Sequence, residues 1–87
     1  MFVLMVYDVR EKRVAKVLKT GRKYLNWVQN SVLEGELSPG VYAKLKADVL
    51  KVIDKEQDSV IFFTWRTERY SNREILGVEK GASDSFI

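Results

Sequence analysis

Met1-Phe2-Val3-Leu4-Met5-Val6-Tyr7-Asp8 opens the chain with seven apolar or aromatic positions and then a carboxylate. An unbroken apolar run of this length reads as a central β-strand buried on both faces, because a strand with one solvated face would alternate. The C-terminal end of such a strand meets solvent at the rim of a sheet. Asp8 therefore stands where a divalent cation and a phosphate can reach it. One carboxylate rarely holds a metal alone, so a site built on Asp8 asks for a second copy, most simply from another protomer across a two-fold axis.

Working outward from that strand, Asp8-Val9-Arg10-Glu11 has the D-x-x-E spacing of a capping box and announces a helix. Two readings of Asp8 stand side by side: a cap for the first helical amides, or a metal ligand. The helix is expected from Glu11 to about Tyr24. Val14, Val17, Leu18, Gly21, Tyr24 and Leu25 share one arc at 100° per residue, and Lys12, Arg13, Lys16, Lys19 and Lys23 lie on the other. Residues 26 to 37 read as extended, either as one strand or as two broken by a bend near Asn30 or a bulge at Gly35. Ser38-Pro39 starts a second helix, with Ser38 as N-cap and Pro39 at the first helical position. Its expected core face is Val41, Tyr42, Leu45, Val49, Val52 and Ile53, and it is expected to run to about Glu56, where Gln57-Asp58-Ser59 breaks it. Val60 to Arg66 is a second central strand, in which Phe62, Phe63 and Trp65 read as core rather than as base-stacking platforms. Thr67 to Asn72 reads as a turn and Arg73 to Glu79 as an edge strand.

This order predicts an α+β sandwich with two helices on one face of an antiparallel sheet. Both central strands are apolar on both sides, so the second face needs a cover, and a second copy of the sheet in a homodimer supplies it. Residues 1–80 are expected to form this one domain, and residues 81–87 either a free tail or, as the family resemblance set out below implies, a C-terminal interaction segment anchored by Phe86 and Ile87.

Composition narrows the chemistry. The chain has 87 residues with no Cys and no His, so thiol nucleophiles, iron–sulfur clusters, histidine bases and the commonest zinc ligand are excluded. Catalysis here must use carboxylates, lysine or hydroxyls, with a metal. No apolar stretch approaches the roughly 20 residues of a membrane span, and the opening residues lack signal-peptide features, so a cytoplasmic protein with no membrane partner is expected. The net charge is +3, and its distribution is uneven. Between Arg10 and Tyr24, Arg10, Lys12, Arg13, Lys16, Lys19, Arg22 and Lys23 stand against the single acid Glu11. A surface of one sign points to a polyanion such as RNA or DNA, whereas a face selected only for solubility mixes signs.

The string Val28-Gln29-Asn30-Ser31-Val32-Leu33-Glu34-Gly35-Glu36-Leu37, taken with Val6-Tyr7-Asp8-Val9, Arg13-Val14-Ala15-Lys16-Val17-Leu18 and the closing Gly77-Val78-Glu79-Lys80-Gly81, resembles the CRISPR-associated small adaptation proteins, the second core Cas family. The resemblance spans nearly the whole chain. It implies a ferredoxin-like fold, a homodimer with its sheets face to face, and association with the CRISPR adaptation integrase that inserts new spacers. It also implies metal-dependent endonuclease activity on single-stranded RNA or on DNA, with Mg²⁺ (or Mn²⁺) as cofactor. Asp8 matches the family's metal-binding catalytic aspartate, with Tyr7 before it and Ser31 in the matching S-V-F segment as supporting residues. Arg13 matches its helix-one arginine, and Lys12, Arg13, Lys16 and Lys19 are the expected nucleic-acid contacts. Leu33 replaces the family's usual Phe, and Trp27 stands where some nuclease-active members carry Arg. A non-enzymatic adaptor that carries duplex DNA between integrase dimers is the competing reading. A small-ligand regulatory domain is the third, weakened by the lack of a Gly-rich phosphate loop.

Overall fold

The structure, a computed structural model, describes residues 1–67 and 70–79, and the side chains of residues 67, 70 and 71 lie outside that description. The expected C-terminal interaction segment, 81–87, falls outside the described residues. The elements in chain order are β1 (Phe2–Asp8), α1 (Glu11–Gly21), β2 (Asn26–Gln29), β3 (Val32–Glu36), α2 (Pro39–Val52), β4 (Ser59–Thr67) and β5 (Tyr70–Gly77). They build one antiparallel sheet in the order β2-β3-β1-β4-β5. The first four strands in this order carry the expected ferredoxin-like arrangement, and β5 extends it at one edge.

β1 lies at the centre, with Val3 opposite Gly35 of β3 and Thr64 of β4. Alternation then sorts its side chains. Val3, Met5 and Tyr7 are buried on the helix side with Leu33, Val60 and Phe62, and α2 adds Tyr42, Leu45 and Val49 to the same core. Phe2, Leu4 and Val6 point the other way, where Ile61, Phe63 and Trp65 of β4 are their register partners. Those residues are only half-buried. Phe63 and Trp65 are thus not in the core of the protomer, because their parity on β4 turns them from the helices while Phe62 faces inward. The overall extents, 36 × 32 × 21 Å, fit one helix layer on one sheet, each about 10 Å thick. The second face of the sheet is apolar, and among the described residues nothing covers it.

Several boundaries differ from the sequence expectation for local reasons. Residues 26–37 form two strands with a turn at Asn30, and the irregularity lies between Trp27 and Gln29 rather than at Gly35. At Gly35 a Cβ would lie 3.2 Å from a Leu25 methyl, so the small residue admits Leu25 to the core. α1 stops at Gly21 because the chain tightens there: the amides of Lys23 and Tyr24 donate to the carbonyls of Thr20 and Gly21, at 3.2 and 3.0 Å, and turn the chain toward β2. α2 begins as expected, with Ser38 Oγ accepting the Val41 amide at 3.2 Å. Val41 itself stays 39% exposed, because Tyr42, about 100° further round the helix, takes the inward place. α2 ends at Val52 rather than near Glu56, since Ile53 is extended and the Asp54 amide donates to the Asp58 carboxylate at 2.9 Å. β5 begins earlier than expected, with Ser71 opposite Trp65. It ends at Gly77, whose φ of +89° and position leave no room for a side chain: a Cβ there would lie 2.0 Å from the Asp58 carbonyl oxygen.

Candidate functional site

Asp8 is the last residue of β1, exposed, and paired through its backbone with Ser59. By parity it continues the row Phe2, Leu4, Val6 on the uncovered face of the sheet. The capping reading of Asp8 does not describe this fold. The N-cap position of α1 is Arg10, without a side-chain cap, because pairing with β4 carries Asp8 through to the end of the strand and leaves Val9 and Arg10 to enter the helix.

The acid that organises the start of α1 is instead Asp58, from the far side of the chain. Its side chain is fully buried and all its acceptor capacity is used. Arg13 Nε donates to Oδ2 at 2.5 Å and Arg13 Nη2 to Oδ1 at 3.1 Å. The Arg10 amide donates to Oδ1 and the Asp54 amide to Oδ2, both at 2.9 Å. The Arg13 guanidinium, helped by these two amides, holds the Asp58 carboxyl well below the ordinary carboxylate range against the opposing effect of burial. Arg13, expected to meet phosphate, therefore has its guanidinium committed to Asp58 and, through Nη2, to Gln57 Oε1 at 3.0 Å. Sequence reasoning took Asp58 only as part of a helix break. An acid in a turn is ordinary, and its arginine partner lies 45 residues away.

Tyr7 and Ser31 meet at the same rim but on the side opposite Asp8. The Tyr7 ring is buried among the core residues, its hydroxyl donates to the Asn30 carbonyl at 3.1 Å, and burial raises its pKa. Its amide donates to the Ser31 carbonyl at 3.0 Å. Both residues thus fasten the β2–β3 turn to the end of β1 and support the strand that carries Asp8.

Lys12, Lys16, Lys19 and Lys23 are all exposed and recur at i, i+4, i+7 and i+11, which makes one stripe along α1. Within α1, Lys12 to Lys19 spans about 10 Å, from seven steps of 1.5 Å, and Lys23 continues the line in the turn that follows. Near its end, Ala15, Leu18, Lys19, Arg22 and Lys23 line a shallow groove. At its start, Arg10, Glu11, Lys12 and Gln57 line another.

A metal at Asp8 can be tested against this geometry. Among the described residues no group of three or more Asp, Glu, His or Cys side chains converges. A hard, exposed carboxylate on an uncovered face suits an ion that takes one or two carboxylates and leaves its other positions to water and phosphate, as Mg²⁺ does. Asp8 supplies one such carboxylate, which fits an ion of this kind as one ligand among water and phosphate oxygens. Among the described residues no helix is long and apolar enough to cross a membrane.

Comparison with known proteins agrees with this architecture. The profile of the CRISPR associated protein Cas2 family matches residues 1–73. The CRISPR-associated endoribonuclease Cas2 of Thermotoga maritima is 63% identical over 87 residues, covering all of this chain and 99% of the relative. That of Dictyoglomus turgidum is 51% identical, with both chains covered in full. Among solved structures, a Cas2 crystal structure superposes with a TM-score of 0.73 at 35% identity, covering 94% of this chain and 92% of the other. Streptococcus pyogenes Cas2 at pH 6.5 gives 0.69 at 34% identity, over 75% and 86% of the two chains. With a matching profile, relatives of the same length and the same fold, the chain belongs to the CRISPR associated protein Cas2 family.

Proposed function

We propose that this chain acts as a homodimeric, metal-dependent endoribonuclease or endonuclease within CRISPR adaptation, in association with the adaptation integrase. The observation that carries the reading is the position of Asp8 at the end of the apolar row Phe2, Leu4, Val6, on the face that the described residues leave uncovered. Burying that row against a second copy brings two Asp8 rims to one interface, and the endoribonuclease names of relatives at 63% and 51% identity support a nuclease.

In this reading the two Asp8 carboxylates hold Mg²⁺ or Mn²⁺. Such an ion neutralises charge on a phosphodiester and eases deprotonation of water. The chain's own residues do the rest. Lys12, Lys16 and Lys19 grip the phosphate backbone without reading bases, while the Asp58–Arg13 pair and the Tyr7–Asn30 contact hold the segments on either side of Asp8 in place. With no histidine in the chain, proton transfer falls to carboxylate, lysine or solvent.

The test is cleavage of single-stranded RNA and of duplex DNA with and without Mg²⁺, comparing wild type with Asp8→Asn. Asparagine keeps the size and the backbone pairing of Asp8, so the variant should fold and dimerise while losing cleavage by about 100-fold or more. Equal cleavage by the two proteins removes Asp8 from the reaction. The lysine stripe, which needs no Asp8, favours a second reading in which the dimer is a catalytically silent adaptor for duplex DNA. In that case neither protein cleaves and Asp8→Asn still supports spacer acquisition.

A further inference from the structure

Trp27 is the largest exposed apolar side chain among the described residues, at 51% exposure, on an edge strand whose four residues are all exposed. A tryptophan left in water forgoes a large burial gain, yet this ring is held in place. Its Nε1–H donates to the Asn30 carbonyl at 3.2 Å, and the Arg22 guanidinium carbon lies 5.7 Å from the ring centroid, within cation–π range. The same Asn30 carbonyl accepts the Tyr7 hydroxyl, and Tyr7 immediately precedes Asp8. Arg22 also lines, with Ala15, Leu18, Lys19 and Lys23, the groove at the end of α1, so the ring and the cations of that groove meet at Arg22.

We infer that Trp27 is a base-stacking platform for single-stranded nucleic acid, with Lys19, Arg22 and Lys23 on the adjoining backbone and the Asn30 carbonyl tying the platform to the rim that carries Asp8. Charge and shape select this occupant. The cations ask for phosphate, and a fixed aromatic face beside them matches an unpaired base. A duplex hides its base faces in the stack and meets only the cations. The inference rests on the reading of the chain as a nucleic-acid-binding protein and deepens it to the side chain that meets the bases of an unpaired strand.

Binding is measured in EDTA, so that cleavage plays no part, by the anisotropy of labelled oligouridylate, oligothymidylate and a duplex of equal length. Trp27→Ala should weaken single-strand binding roughly tenfold and leave duplex binding unchanged, and Trp27→Phe should restore most of the loss. A loss on only one of the two single strands also supports the platform and names its sugar. Should Trp27→Ala fail to fold, Trp27→Leu keeps the apolar bulk and serves the same comparison. Unchanged single-strand affinity, or an equal loss on single strand and duplex, overturns the inference. The two readings fail separately: strand binding that depends on Trp27 in a protein that never cleaves leaves the platform standing, and Asp8-dependent cleavage with no effect of Trp27 on binding leaves the nuclease standing.

Discussion

Asp58 illustrates how one buried charge governs a neighbourhood at the residue scale. It joins the start of α1, the turn after α2 and the head of β4 through bonds to Arg10, Arg13 and Asp54. Its backbone carbonyl also accepts the Val78 amide at 2.8 Å. Removing the carboxylate leaves the part-exposed Arg13 charge without its partner and the Arg10 and Asp54 amides with a weaker acceptor. Asp58→Asn is accordingly expected to lower the melting temperature at neutral pH by several degrees. The pH dependence has a definite sign. The folded carboxyl titrates below its unfolded value of about 4, so its contribution is complete above that value and is lost as pH falls toward the folded-state value. Melting curves should show wild-type stability dropping steeply below about pH 4, and the variant dropping less. Parallel curves for the two proteins would show that Asp58 is not the group responsible. The pairing was not legible in the sequence, where Asp58 reads only as part of a helix break and Arg13 as a phosphate contact, 45 residues apart. Asp8 differs, because the apolar run that it ends marks it directly.

At the scale of the element, α1 was read almost completely from its periodicity. The buried residues Val17 and Gly21 and the exposed lysines fall on the arcs that the 100° rule assigns. What periodicity missed was Arg13, which the same rule placed among the solvent-facing cations and which the tertiary fold turned onto Asp58. The lysine stripe can be tested without disturbing that pair. Replacing Lys12, Lys16 and Lys19 by Gln keeps helix propensity and removes three charges. If all three touch phosphates, the slope of log affinity against log salt should become shallower by about 2 on single strands. An unchanged slope would reduce the stripe to a solvated surface. The helix ends were less legible than the helix faces: Ser38-Pro39 gave the start of α2 because its signals are local, but its end at Val52 depends on the Asp54 amide turning to Asp58.

The whole protomer is two layers, helices over a sheet, with an apolar second face. Phe2 and Trp65 lie 5.8 Å apart by ring centroids and Phe63 and Trp65 6.3 Å, and Leu4, Val6 and Ile61 join them by register. Among the described residues the helices leave this half-buried apolar face without a cover, and a self-complementary sheet-on-sheet contact across a two-fold axis is the simplest one for it. Placing a charge at its centre, as in Leu4→Lys, should convert the protein from dimer to monomer in sedimentation and abolish the dependence of its melting temperature on protein concentration. A variant that sediments like wild type would move the dimer contact to another surface. The variant should also lose cleavage if two Asp8 rims are needed, a second reading of the same experiment.

The sequence by itself determined the α+β class, the central place of β1, most of the core-facing positions of both helices and the rim position of Asp8. Each of these follows from local periodicity and the burial that it demands. Only the tertiary structure decided that Phe63 and Trp65 face away from the helices, that Arg13 is spent on Asp58, and that Tyr7 and Trp27 share the carbonyl of Asn30. Such facts depend on strand parity and on contacts between residues far apart in the chain. No local pattern carries that information, because the free energy that selects those contacts exists only once the layers have closed.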